Sequence, residues 1–130
     1  MPHIILEYSA NLDAKLDMGG LCTALKDAAA ATGVFPPAGI RVRAFAASHV
    51  IIADGDPGHG FIDITLRLAH GRDTQAKTLA LDAVFDAARA YTTDVMAHSP
   101  FMLSAELREI DRQFSRKASS IRDYLPPEMH

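Results

Sequence analysis

The sequence predicts an α/β fold in which two βαβ units form one four-stranded sheet with two helices on one face. Three observations carry this. Runs of strand and helix character follow one another as strand, helix, strand, and that order occurs twice. Each helical run is long enough to cross over between parallel strands, and such crossovers are right-handed. The turn-rich stretch Asp54-Gly55-Asp56-Pro57-Gly58 stands between the two halves. The halves cover about residues 2–54 and 60–111 of a single domain, followed by a tail at 112–130.

In the first half, Ile4-Ile5-Leu6-Glu7-Tyr8 is β-branched and nearly all apolar, as a buried strand requires. Asp17 then offers a cap to a helix that carries Leu21, Cys22, Leu25, Ala28 and Ala29 at three- and four-residue spacing. Gly33 supplies a left-handed stop, and Pro36-Pro37 prevents continuation. An extended run is expected from about Ile40 to Ala53. In the second half, Ile62, Ile64, Leu66 and Leu68 alternate with Asp63, Thr65 and Arg67. Asp73 caps a long helix with Leu79, Ala80, Ala83, Val84, Ala87, Ala88 and Tyr91 along one face. Leu103, Ala105 and Leu107 mark the last strand. Two helices cover only one side of such a sheet, leaving mixed residues such as Phe45, Ala47 and Thr65 on the other. The tail holds Phe114, Ile121, Tyr124 and Leu125 but too little apolar mass for its own core. Both features point to an oligomer in which sheets pack on neighbouring subunits and tails lie across them.

Bulk properties exclude several classes. A chain of 130 residues suffices for one core. A net charge of −3 is too mild to call for nucleic acid or a membrane surface. Cys22 is alone, so no internal disulfide forms, and a reducing cytoplasmic setting is expected. No run of about 18 apolar residues is present, and the opening Met1-Pro2-His3-Ile4-Ile5-Leu6-Glu7 does not read as a signal peptide. The six histidines show no ligand spacing, and Asp54-Gly55-Asp56 departs from a calcium loop at Gly58 and His59, so no metal is expected.

The remaining chemistry lies at the amino terminus. Pro2 follows Met1 directly, and initiator-methionine removal ordinarily exposes a proline there. The product is a secondary amine at the start of a strand. An ordinary α-amino group titrates near 7.7–8.0. Desolvation and nearby cations lower that value and leave a neutral, rigid general base. Arg41 and Arg43 alternate onto one face of a strand, and Arg72 stands at a strand-to-helix junction. Guanidinium groups suit planar carboxylates because they donate two parallel bonds. Taken singly, each arginine reads as a solvated surface charge, and a Met-Pro start is common by chance.

Together these elements resemble the tautomerase superfamily, whose members start with a catalytic proline and are built from βαβ units. Gly71-Arg72-Asp73-Thr74-Gln75-Ala76-Lys77 is similar to the strand-to-helix segment of 4-oxalocrotonate tautomerases. The stretch Thr32-Gly33-Val34-Phe35-Pro36-Pro37-Ala38-Gly39-Ile40-Arg41-Val42-Arg43, with Ala53-Asp54-Gly55 and Leu103-Ser104-Ala105-Glu106-Leu107, resembles the 5-carboxymethyl-2-hydroxymuconate isomerases. The likeness covers nearly the whole chain. It implies a homotrimer with active sites near subunit boundaries, no cofactor, and a polycarboxylate enol substrate from aromatic-compound catabolism. Pro2 falls on the family's base, and Arg41 and Arg72 fall on its substrate-binding arginines. Arg43 also fits the pattern. The second half begins Gly60-Phe61 and offers no second amine, and a retained Met1 would turn the Pro2 nitrogen into a non-basic amide. Two other readings stay open: a tautomerase or dehalogenase acting on another unsaturated acid, with Glu7 or Glu106 activating water, and a non-catalytic trimeric ligand-binding module.

Overall fold

Ile4, Leu6 and Tyr8 alternate with His3, Ile5 and Glu7, and this period of two builds β1 (His3–Ser9), with the first set buried. The computed structural model describes residues 1–130. A 3₁₀ turn at Ala10–Ala14 leads to α1 (Met18–Ala31), whose start is fixed by the Asp17 carboxylate accepting the Gly20 N–H at 3.1 Å. Gly33 follows the helix in the left-handed region at φ 71°. β2 (Arg41–Ala47) and β3 (Gly60–Ala69) come next. The Asp73 carboxylate then accepts the Ala76 N–H at 2.8 Å and opens α2 (Thr74–Tyr91). A short α3 (Thr93–His98) leads into β4 (Phe101–Ile110).

The strands lie in the order β2-β1-β3-β4. β1 and β2 are parallel, as are β3 and β4, so each half is a βαβ unit. The halves join through the antiparallel pair of β1 and β3, in which His3 faces Arg67 and Ile4 faces Leu66. Ile4, Leu6, Ile62, Ile64 and Leu66 are fully buried and form one core with Leu21 and Leu25 of α1 and Val84 of α2. Each such side chain contributes about 1.5–3 kcal/mol by leaving water. The opposite face of the sheet is uncovered, with Phe45 55% and Met102 64% exposed. No helix is long and apolar enough to cross a membrane.

Three expectations need correction. The extended run from Ile40 stops at Ala47, because its partner β1 ends at Ser9 and turns away; beyond it Ile51 is 88% exposed. Leu79 is half exposed, since the buried stripe of α2 runs through Ala80, Val84 and Ala88, about 100–180° round the helix from Leu79. The helix α3 was not expected; buried Thr92 separates it from α2 by bonding its Oγ1 back to the Ala88 carbonyl at 2.8 Å, and Val95 docks on the core. The tail forms three 3₁₀ turns, at Arg112–Phe114, Ile121–Tyr124 and Pro127–Met129, and its first part flanks the Pro2 of its own chain.

Candidate active site

The segment before β2 places its first residue. Pro36 and Pro37 start a 3₁₀ turn at Pro37–Gly39, in which Gly39 N–H donates to the Pro36 carbonyl at 3.0 Å and Ile40 N–H to that of Pro37 at 3.1 Å. The turn delivers Arg41 opposite His3 at the start of the parallel pair. The Arg41 N–H donates to the Pro2 carbonyl at 3.1 Å, so Pro2 is held by the sheet although it precedes β1. Its ring is fully buried. Gly39 packs so closely that a Cβ there would lie 3.5 Å from Pro2 Cδ.

Pro2 lines a cavity of about 1020 Å³. Arg41 and Arg72 line it too, so three of the four residues singled out in the sequence come together. β3 adds Arg67, and the tail adds Arg112, Arg116, Lys117 and Arg122. No Asp or Glu is present in the lining. Seven of the chain's 13 lysines and arginines therefore surround one cavity in a protein of net charge −3. That field attracts a polyanion. Glu7 and Glu106 both lie away from the cavity, and Glu106 is engaged by Arg108 at 2.9 Å.

The arginines are held differently. Arg72 lies with its guanidinium carbon 5.1 Å from the centre of the buried Phe35 ring and reaches the Ala69 carbonyl at 3.4 Å. Arg41 contacts His3 Nε2 at 2.8 Å, and Arg43 contacts His3 Nδ1 at 3.2 Å. A neutral imidazole accepts at one nitrogen only, so each tautomer satisfies one of these arginines and not both. Arg43 is outside the cavity lining, on the other side of the His3 ring from Arg41.

Electrostatics agree with this geometry. Burial pushes the Met1 amine, one residue from Pro2, below its ordinary value, and Lys117, Arg72, Arg41 and Arg112 push the same way. His3 falls from 6.5 to about 4 through burial first and then through Arg41, Arg67, Arg43 and the amino terminus. It is neutral at physiological pH.

Sequence reasoning missed His3, Arg67, Phe35 and the basic residues of the tail. The alternation of β3 does place Arg67 opposite the buried Leu66, but the strand order that sets it beside His3 is not written in local pattern.

A profile of the 5-carboxymethyl-2-hydroxymuconate isomerase family matches residues 2–125. The chain is 30% identical over 121 residues to 5-carboxymethyl-2-hydroxymuconate Delta-isomerase of Escherichia coli, covering 93% of this chain and 96% of that protein. Among solved structures, a 5-carboxymethyl-2-hydroxymuconate delta-isomerase superposes with a TM-score of 0.88 at 31% identity, over 95% of this chain and 92% of the other. A 5-carboxymethyl-2-hydroxymuconate isomerase from Deinococcus radiodurans R1 gives the same TM-score at 30% identity, over 96% and 95%. The basic cavity around Pro2 thus sits in a fold and a sequence matched over nearly the whole chain, and this chain belongs to the 5-carboxymethyl-2-hydroxymuconate isomerase family.

Proposed function

We propose that this protein is a cofactor-independent isomerase that converts 5-carboxymethyl-2-hydroxymuconate, or a close polycarboxylate enol, into its 2-oxo isomer. The observation that carries the reading is a buried Pro2 lining a cavity whose charged residues are all cationic. With Met1 removed, the Pro2 amine takes the proton of the 2-hydroxyl. The electrons shift through the diene, and the same proton returns at C5, leaving a C2 ketone and a C3–C4 double bond. Atoms and charge balance without an oxidant or a metal. Arg41 and Arg72 hold carboxylates and stabilise the negative charge that grows on the 2-oxygen. Arg43 acts on the substrate only indirectly, through its contact with His3.

The same basic surroundings that bind the substrate tune the base. Burial and the cations that lower the Met1 amine act on a terminal Pro2 amine as well. The uncovered sheet face supports a homotrimer, since Phe45 and Met102 would gain cover there. The lone thiol Cys22 fits a cytoplasmic setting, and the substrate places the reaction in aromatic-compound catabolism. A panel of enol acids followed by ultraviolet absorbance tests the reading. The tricarboxylate should give the highest kcat/KM, and an inactive, correctly processed protein would refute it.

A further inference from the structure

We propose that Arg67 is a specificity-determining residue that binds the third carboxylate of a tricarboxylate substrate. The inference rests on the function proposed above, in which Arg41 and Arg72 each serve one carboxylate. Arg67 is the remaining cation that a strand, rather than the tail, brings to the cavity. Groups on regular elements hold a ligand more closely than groups on irregular chain.

Its surroundings leave it without an anion. On one side Arg67 faces His3, which faces Arg41 in turn, and on the other it faces Arg108. This row across four strands contains no acid. Glu106 is taken by Arg108 at 2.9 Å, and Glu109 by Lys77 and His70 at 3.0 and 2.8 Å. The Nε atom of Arg67 is shielded from solvent and has no hydrogen-bond partner. An unmet donor of a charged group is costly to leave so, and a turn of the side chain that presents its N–H groups to a carboxylate in the cavity would satisfy it. Arg41 and Arg67 are two strand spacings apart, about 9.5 Å at their bases. They therefore grip a ligand at two separated points, with neutral His3 between them adding no charge of its own.

The substitution Arg67→Met removes the charge and keeps most of the apolar stem. The tricarboxylate 5-carboxymethyl-2-hydroxymuconate and the dicarboxylate 2-hydroxymuconate are compared as substrates of wild type and variant. KM for the tricarboxylate should rise about 10–100-fold, the scale of a charge-assisted contact, with kcat nearly kept and the dicarboxylate little affected. Arg67→Lys should recover part of the loss. Calorimetry with tricarballylate and glutarate, which need no turnover, should show the same selective weakening for the three-carboxylate ligand. Equal loss on both ligands, or none on either, overturns the assignment. A loss that instead follows Arg116→Met or Arg122→Met places the third carboxylate on the tail and also overturns it. If wild type turns over neither enol acid, the proposed function fails, and the calorimetric comparison still decides the role of Arg67.

Discussion

The backbone N–H of Arg41 donates to the carbonyl of Pro2 at 3.1 Å, which couples the proposed carboxylate anchor to the proposed base through the sheet ladder. Neither residue rides on a flexible loop. The distance between base and anchor is set by strand pairing, so a substrate gripped by Arg41 meets the amine at a fixed offset.

The two arginines should be separable by kinetics. If one only grips a distal carboxylate, its change to Ala raises KM and preserves kcat. If it also stabilises charge that grows during proton transfer, kcat falls as well. Arg72 is held over Phe35 by a contact worth about 0.5–2 kcal/mol, and Arg41 by its place at the start of β2. Arg41→Ala and Arg72→Ala should each lower kcat/KM, at least one through kcat, and Lys should restore either only in part. Wild-type kcat/KM in both Ala variants on every enol acid would remove these arginines from the site.

His3 should impose a pH dependence on stability. In the folded chain it titrates at about 4, whereas an unfolded histidine takes up its proton near 6.5. Between these values the unfolded state binds more protons, so stability rises with pH across the window and falls as pH drops from 6.5 towards 4. The contribution is level above 6.5. Ring-proton NMR should give a His3 midpoint of about 4, and His3→Gln should flatten this part of the melting temperature profile.

Two neighbouring glycines in α1 should respond in opposite directions to alanine. Gly→Ala in a helix gains about 0.5–1 kcal/mol in general. At Gly19 the new Cβ would meet only Asp17 Oδ1 at 3.5 Å, so Gly19→Ala should stabilise. At Gly20 it would collide with the Tyr91 hydroxyl and lie 2.7 Å from Asp17 Oδ2. Tyr91 there donates to the Asp17 carbonyl at 2.9 Å. Both side chains would have to move aside, weakening the Tyr91 bond and the Asp17 cap, each worth about 1 kcal/mol, so Gly20→Ala should lower the melting temperature.

Assembly gives a further check. Light scattering should report three times the 14.0 kDa chain mass. Placing a charge on the open face with Phe45→Asp should dissociate the particle without altering helix content by circular dichroism. A wild-type particle that is monomeric at micromolar concentration would contradict the trimer.

Much of this architecture was legible in the sequence because its signals are local. The Asp17 and Asp73 caps, the left-handed Gly33 and the alternation of β3 each act within a few residues, and all four stand in the structure as expected. What was not legible depends on partners distant in sequence. β2 stops at Ala47 because β1 ends, although apolar residues resume at Val50-Ile51-Ile52. Arg67 joins the cavity only because β1 and β3 pair antiparallel in one register. The tail looked like a coreless strap, and its basic residues gained meaning only when they lined the cavity beside Pro2. Arg43 shows the converse: alternation put it beside Arg41, but the His3 ring keeps them apart.

The central claim is that the Pro2 amine is the base. One protein preparation with Met1 removed and one with Met1 retained, each verified by mass spectrometry, should be compared on 5-carboxymethyl-2-hydroxymuconate by ultraviolet absorbance. Retention converts the amine into an amide and leaves the sheet untouched. General-base catalysis contributes about 10²–10⁴-fold, so the retained form should lose at least two orders of magnitude in kcat while keeping its circular dichroism spectrum. Equal activity in the two forms would contradict the account.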